Sequence, residues 1–369
     1  MAIASFRACR RSLRPEQLRE AATSLFAADM LKAQASACAK AAAVPDSAPA
    51  VYHYDYRRDG SHLCGIVALL KPDALKQLRC PMPAEAADVA FARECLDSKR
   101  EQLAPVVVVT ESLGLETFEA VFKNSPSKDE LSIEPVTETH AISELNAALA
   151  DSPMTVIAGP EWIAAADGHP VMALLVNGDT CAPELQPVHR CVRWKPSWHA
   201  GDMVRLGREN FFFHDITRLM PQMGDTGPHY FKPTAIEYLR PNKGGENVLV
   251  AVTARHTFRI HSLPGWADTV LAHRTPEERG VGVVQLHEIL MTKGLEMPPG
   301  SFGDQEVAYT LDMDEAVECV KRGQADVAFL MNAPTIEQIV SVARIGGTVP
   351  RHAFRPRLVP VPGAITYAF

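Results

Sequence analysis

The stretch TVIAGPEWIAAADGHPVMALLVNGDTCAPELQPVHR, residues 155–190, predicts a strand, a tight turn, a helix and a second strand in close succession. Residues 155–158 form a short apolar run, Gly159 supplies the turn, and Pro160 suits the first position of a helix. Residues 171–176 form a continuous apolar run, which is typical of a strand that is buried on both faces. The stretch therefore favours an α/β architecture.

The glycine of this stretch lies where α/β proteins often hold an anion. The first turn of a helix has unpaired N–H groups and the positive end of the helix dipole, and both attract phosphate. Here Glu161 occupies that first turn. Its carboxylate would stabilise the helix by about 0.3–1 kcal/mol, but it would also repel a phosphate. The sequence thus predicts the frame of an anion site at Gly159 with an unfavourable residue inside it.

Length and composition indicate a globular protein with two lobes. The chain has 369 residues, of which 47% are hydrophobic and 22% are charged, and its formal net charge is -7. Such a length exceeds one core, so we expect α/β lobes over residues 1–200 and 201–369, each with mixed sheets covered by helices. The negative charge argues against a nucleic-acid-binding protein. Apolar runs of at most about six to eight residues are too short for a membrane span, so we expect a soluble protein.

The metal-binding residue types show no pattern of a metal site. Eight cysteines are scattered without a C-x-x-C pair or a Cys/His cluster, which is typical of reduced thiols in an intracellular protein. His287 and Glu288 share one predicted helix, but no second histidine follows four residues on, so the zinc-protease motif is incomplete. The sequence therefore predicts no metal ligand set.

The basic N-terminus has two interpretations. Five arginines precede residue 20, and no acidic residue comes before Glu16, which imitates a mitochondrial presequence. Pro15 and the alanine-rich segment up to Ala43 favour folded helices instead. We therefore expect a cytoplasmic protein, with the mitochondrial matrix as the alternative.

Local patterns predict several further elements. Residues 51–70 and 248–261 read as hairpins, and the alternating tyrosines of the first hairpin are expected in the core. Asp215 can cap a short helix that runs to Met220. Residues 307–347 alternate strand and helix twice, which favours a β-α-β crossover, and Asp312 and Gly323 suit the two ends of its helix.

The segment GQADVAFLMNAPTIEQIVSVARIGGTVP, residues 323–350, resembles the end of the bacterial family catalogued as domain of unknown function 1015. The resemblance extends in pieces over most of the chain. The strand around Ile3, the tyrosine-rich hairpin at 51–70 and the run from 171 to the Pro-x-His-Arg at 187–190 are all similar to that family. It implies a core like that of the ParB and sulfiredoxin superfamily, which includes free serine kinases.

Compared with that family, this chain lacks most residues of the phosphate-binding motif. The family carries Ile-Ala-Asp-Gly-His-His-Arg between a strand and a helix, and placed at residues 157–163 this chain lacks the aspartate, both histidines and the arginine. A second registration puts Asp167 and His169 on the motif, with Pro170 and Val171 in place of its last two residues. The C-terminal signature Pro-x-Lys-Ser-Thr is also lost, because Arg351, His352 and Ala353 follow Pro350.

Two functions remain open after these losses. The first is a catalytically degenerate member that acts as a binding, scaffold or assembly protein, with no cofactor and an unidentified protein partner. The second is a divergent kinase for a small, serine-like molecule, or a phosphate-binding enzyme, that uses ATP or ADP with Mg²⁺.

In the second case His189 would act as a general base and Arg190 would bind the phosphate. The candidate catalytic residues are then His169, Asp167 and His189, and the candidate phosphate-binding residues are Gly159, Arg190, Arg351 and Arg355. Nucleic acid would be bound only through the basic C-terminal patch at 351–357.

Overall fold

The computed structural model describes residues 2–10, 44–111, 131–150, 152–178, 183–193, 200–220, 228–241, 247–262, 265–297, 306–360 and 364–368. The helices predicted within residues 15–43 lie outside these ranges.

The strands are numbered in chain order. They are β1 (Ile3–Ala4), β2 (Ala8–Arg10), β3 (Val44–Pro45), β4 (Val51–Arg58), β5 (Ser61–Leu70), β6 (Leu78–Arg79), β7 (Glu101–Gln102), β8 (Val106–Thr110), β9 (Leu131–Val136), β10 (Met154–Ala158), β11 (Val171–Asn177), β12 (Leu185–Pro187), β13 (His189–Val192), β14 (Phe211–Asp215), β15 (Val248–Thr253), β16 (Thr257–Ser262), β17 (Val307–Thr310), β18 (Val327–Met331), β19 (Phe354–Pro356) and β20 (Ile365–Ala368).

The helices are numbered in the same way. They are α1 (Pro72–Leu75), α2 (Ala86–Glu94), α3 (Thr139–Ala150), α4 (Pro160–Ala165), α5 (Ala200–Gly207), α6 (Pro228–Leu239), α7 (Trp266–Val270), α8 (Pro276–Arg279), α9 (Gly282–Gln285), α10 (Met313–Lys321) and α11 (Ile336–Arg344). Two of them continue as π-helical segments, α2 through Cys95–Lys99 and α9 through Leu286–Gly294. None of the helices in the described ranges is long and apolar enough to cross a bilayer.

The chain divides into two compact bodies. The first body comprises residues 1–184, 343–346 and 356–369, and the second comprises residues 185–342 and 347–355. The predicted class, mixed sheets covered by helices, is confirmed within them.

The first body is built on a mixed sheet with the strand order β6-β10-β8-β11-β5-β4-β9, and β1 pairs with β5 at one end. Strand β8 runs parallel to β11 but antiparallel to β10. The strand, turn, helix and strand of the opening stretch are therefore present as β10, α4 and β11, with β8 inserted between the two strands. Every residue of β8 and β11 is buried, which explains their continuous apolar sequences.

Helices cover one face of this sheet. Phe91 of α2, Leu145 of α3 and Trp162 of α4 share a core with strand residues such as Val108 and Leu175. On β5, Gly65 lies so close to β11 that a Cβ there would be 2.3 Å from the carbonyl oxygen of Leu175. The alternating tyrosines of β4, at 52, 54 and 56, are buried as expected for core residues.

The second body is built on a sheet with the order β14-β16-β15-β18-β13-β17. Strand β13 is antiparallel to both of its neighbours, so β17 and β18 run parallel to each other. Helix α10 connects these two strands, and the predicted β-α-β crossover therefore passes over β13. The Asp312 carboxylate accepts the N–H of Asp314 at 2.8 Å, and Gly323 has φ +67° just after the helix, so both predicted helix ends are confirmed.

The short helix predicted from Asp215 to Met220 is wrong. The Asp215 carboxylate accepts the N–H of Thr217 at 2.9 Å, and the chain forms a turn over residues 217–219. Ile216 donates its N–H to the carbonyl of Thr257 on β16 at 2.9 Å. This contact continues the strand pairing one residue past Asp215, and the Met220 N–H then donates to the Ile216 carbonyl at 3.1 Å, so the segment closes a single turn in place of a helix. An aspartate that accepts the N–H two residues on suits such a turn as well as the start of a helix.

Candidate anion-binding site

Arg190 is a buried arginine in the second body. It lies on β13 with Tyr309 of β17 on one side and Phe329 of β18 on the other. Its side chain has no exposed surface. The sheet therefore holds the guanidinium inside the body.

Among the residues that the structure describes, the guanidinium contacts only neutral groups. Nε donates to Nε2 of His287 at 3.3 Å, and Nη2 donates to the carbonyl oxygen of His352 at 2.7 Å. Nη1 donates to the carbonyl of Val188 and lies 3.6 Å from the sulfur of Met331. The guanidinium carbon also lies 5.5 Å from the ring centroid of Tyr309, which is within cation–π range.

These contacts leave the charge of Arg190 without a counterion. Within the described ranges no carboxylate contacts Arg190, and four of its five N–H groups have an acceptor. Burial lowers the pKa of Arg190 to about 10, with Tyr309 opposing the change. At neutral pH the group is still protonated, so the second body holds a buried positive charge and one N–H group that is available to another acceptor.

His287 contacts this charge from the π-helical segment that follows α9. It is 4% exposed, and burial, then the positive charges of Arg190, His352 and Arg351, hold its pKa well below 6.5. The imidazole is therefore neutral at pH 7. Because Nε2 accepts the hydrogen bond from Arg190, the ring proton is on Nδ1.

The turn at residues 351–353 forms the outer side of the site. His352 has φ +53°, a left-handed conformation that costs a residue with a side chain about 1 kcal/mol. Its carbonyl accepts from Arg190, and its ring lies 4.4 Å, centroid to centroid, from Tyr309. Arg351 is exposed at the tip of the turn. The turn thus adds an exposed arginine and a half-buried histidine to the buried guanidinium.

His189 has a different environment from Arg190. It is 1% exposed, and its Nδ1 accepts the N–H of Met331 at 3.2 Å. Consecutive strand residues point to opposite faces of a sheet, so His189 and Arg190 project from opposite sides of β13. His189 links β13 to β18, and its predicted role as a base stays a prediction.

The other sequence candidates divide between the two bodies. Arg355 belongs to the second body, is half-buried, and has a pKa that burial lowers to about 10. Gly159, Asp167 and His169 belong to the first body. Arg357, the end of the predicted basic patch, also belongs to the first body and pairs there with Glu184 at 3.1 Å.

The turn at Gly159 has the predicted shape and leaves little room for a side chain at that residue. Gly159 has φ +80°, and a Cβ there would lie 3.2 Å from Cα of Val106. Glu161 in the first turn of α4 is 7% exposed, and burial, then nearby Asp88, raise its pKa to about 7. A buried carboxyl group in this first turn disfavours a bound anion there.

Asp167 and His169 lie in the exposed turn after α4. Asp167 and Gly168 both have positive φ, of 43° and 83°, and His169 donates its N–H to the carbonyl of Ala166 at 2.8 Å. These residues close a tight turn. Their assignment as catalytic groups stays a prediction.

Two members of the site were not predicted from the sequence as binding residues. His287 was considered only as part of an incomplete zinc motif, and Tyr309 only as a strand residue. Both reach Arg190 through the sheet register and the packing of the helix, and neither carries a local sequence signal. Within the described residues no group of three or more His, Cys, Asp or Glu could hold a metal ion.

Comparison with known proteins finds distant structural similarity and no match in sequence. No protein-family model matches the chain, and no curated protein sequence matches it. A solved structure titled "Free serine kinase in complex with AMP" is 11% identical with a TM-score of 0.40, covering 79% of this chain and 87% of that one.

Two further structures are similar at the same level. A conserved hypothetical protein from Pyrococcus furiosus is 10% identical with a TM-score of 0.38, covering 78% of this chain and 90% of that one. SbnI from Staphylococcus aureus, with a C-terminal truncation, is 12% identical with a TM-score of 0.39, covering 80% and 87%. Such values assign neither a family nor a function to this chain.

Proposed function

We propose that the second body binds a small anionic ligand, with a phosphate group as the best fit, through Arg190, His352 and Arg351. The observation that carries this proposal is the fully buried guanidinium of Arg190, which stays charged at neutral pH and contacts no carboxylate within the described residues.

A buried charge without a counterion is costly. The effective penalty for taking an ion out of water is several kcal/mol, even after relaxation. Hydrogen bonds to two carbonyls and an imidazole, with the ring of Tyr309, offset part of that cost. A bound anion would neutralise the charge, and the planar guanidinium matches phosphate and carboxylate oxygens better than an ammonium group does.

The turn at 351–353 supplies the route to Arg190. Because Arg190 has no exposed surface, an anion would first contact Arg351 and the half-buried His352. It would then take the place of the His352 carbonyl on Nη2, which that carbonyl now occupies at 2.7 Å. The turn already holds His352 at positive φ, so leaving this conformation recovers about 1 kcal/mol.

The proposal for binding does not depend on phosphotransfer. A kinase would add ATP or ADP with Mg²⁺ and a small, serine-like acceptor, and His169, Asp167 and His189 would then be tested as its catalytic residues. The scaffold or assembly role with a protein partner, and membership of the domain of unknown function 1015 family, also stay predictions from the sequence.

Calorimetry tests the binding proposal. Inorganic phosphate, ATP and ADP are titrated into the full chain, with and without Mg²⁺. We expect saturable binding that weakens about tenfold or more in Arg351→Ala, because one hydrogen bond to a charged group contributes about 1.5–3 kcal/mol net.

Arg205→Ala is the matched control. Arg205 is an exposed arginine of the same body that pairs with Asp202 at 3.2 Å, and we expect its substitution to leave the affinity unchanged. No heat with any of the three ligands at millimolar concentration would overturn the proposal. Equal loss of affinity in both variants would also overturn it, since the effect would then be one of overall charge.

A further inference from the structure

Cys191 follows Arg190 on β13 and points to the opposite face of the sheet, where α10 packs. It is 4% exposed and belongs to a core with Ala316 and Val320 of that helix. Its thiol donates to the carbonyl oxygen of Ala316, with the sulfur 3.8 Å from that oxygen.

This contact places Cys191 beside a second thiol. Helix carbonyls point towards the next turn, so the oxygen of Ala316 faces the region of residues 319 and 320. Cys319 packs against the same core from α10, is half-buried, and lines the same cavity as Cys191, whose pKa it raises. Both cysteines are free thiols.

A cavity gives solvent access to this pair. Its volume is about 480 Å³, and both cysteines line it together with Thr310, Glu315 and Arg322. The cavity lies against β17, the edge strand of the sheet. A small neutral oxidant can therefore reach the half-buried sulfur of Cys319 without unfolding of the helix.

We propose that Cys191 and Cys319 form an oxidisable dithiol that closes to a disulfide when a peroxide enters this cavity. The anion-binding proposal does not depend on this chemistry, because Arg190 projects from the face of β13 opposite to Cys191.

The reaction proceeds in two balanced steps. The sulfur of Cys319 attacks one oxygen of hydrogen peroxide, the O–O bond breaks, and the departing hydroxide takes the thiol proton to give water. Cys319 is then a sulfenic acid, oxidised by two electrons, and the peroxide has been reduced. The sulfur of Cys191 next attacks that of Cys319, the S–O bond breaks, and the hydroxide leaves with the proton of Cys191 as a second water.

The surroundings of the two thiols determine which of them reacts first. Cys319 is half-buried beside the cavity, whereas Cys191 is buried under the helix. Burial, and then the neighbouring Cys319, raise the pKa of Cys191 to about 12. Little of Cys191 is thiolate at neutral pH, so it is the poorer nucleophile and reacts second, and closure is slow.

Mass spectrometry of the full chain tests the proposal. The reduced protein is treated with hydrogen peroxide, alkylated and digested without reductant. We expect a peptide pair linked through Cys191 and Cys319, lighter by two hydrogen atoms than the two reduced peptides together, which dithiothreitol separates.

Two variants serve as controls. Cys319→Ser, at a half-buried position, should abolish the linked pair, whereas Cys80→Ser, at an exposed cysteine of the first body, should leave it intact. Conversion of Cys319 to sulfinic or sulfonic acid without a linked pair would overturn the proposal, because the two sulfurs would then not meet. Recovery of both thiols in reduced form after prolonged exposure would overturn it as well.

Discussion

Glu161→Gln should stabilise the protein at alkaline pH and have little effect at acid pH. The carboxyl group is 7% exposed in the first turn of α4, and burial, then Asp88, raise its pKa from 4.5 to about 7. The folded chain therefore binds this proton more tightly than the unfolded chain does. Consequently the contribution of Glu161 to the free energy of unfolding falls as the pH rises from about 4.5 to about 7.

The difference between the pKa of Glu161 in the folded chain and its ordinary value sets the size of the stability change. At about 1.4 kcal/mol for each pH unit, the ionised carboxylate costs about 3 kcal/mol at pH 8. At pH 5 most of the group is protonated in the folded state, and the cost is under about 1 kcal/mol. Glutamine has nearly the same shape and no charge, so its gain in stability should follow the same curve.

Urea unfolding followed by far-ultraviolet circular dichroism measures this gain at pH 5 and pH 8. Glu94→Gln is the matched control, because Glu94 is an exposed glutamate at the end of α2 in the same body. We expect the control to change stability by the same small amount at both pH values. A Glu161→Gln protein that is no more stable than wild type at pH 8, or equally stabilised at both pH values, would refute the reasoning.

Three further substitutions test other parts of the structure. Gly65→Ala should destabilise the first body by about 3 kcal/mol or more, because its Cβ would lie 2.3 Å from the carbonyl oxygen of Leu175; a urea midpoint equal to that of wild type would contradict the close approach of β5 and β11. Asp312→Ala should cost about 1 kcal/mol through loss of the cap on the N–H of Asp314, measured in the same way, and Asp312→Asn should recover most of it if the cap is the cause. Arg190→Lys should lower the free energy of unfolding by about 2 kcal/mol and weaken phosphate binding at least tenfold, because lysine keeps the charge but loses the fork of donors; unchanged affinity by calorimetry would separate Arg190 from the anion site.

Much of the fold could be predicted because its signals are local. The runs at residues 106–109 and 171–176, in β8 and β11, are continuously apolar, which is typical of a strand buried on both faces. Asp312 and Gly323 mark the ends of α10 through interactions within one or two turns. The helix expected after Asp215 failed because its local signal fits two structures. The Asp215 carboxylate accepts the N–H of Thr217 as a cap would, but the chain then closes a single turn through the Met220 N–H and the Ile216 carbonyl.

The site was predictable only in part. The sequence predicts Arg190 and Arg351 together as candidate phosphate-binding residues, and the structure places the Arg190 guanidinium on the carbonyl of His352, the residue after Arg351. His287 lies 97 positions away from Arg190 in the chain and meets it only because of helix packing. Tyr309 meets Arg190 because the register of β13 and β17 pairs them. Contacts of this kind depend on the sheet order, which the local sequence does not encode.

The most direct test of the central claim observes Arg190 itself while phosphate is added. Spectra of the full chain labelled with ¹⁵N-arginine report the Nε–H groups, and Arg190→Lys identifies the signal of Arg190 by its loss. We predict that this signal shifts progressively with inorganic phosphate and reaches a plateau, while the signal of Arg205 stays in place. A signal of Arg190 that does not move at the highest phosphate concentration the protein tolerates would contradict the account.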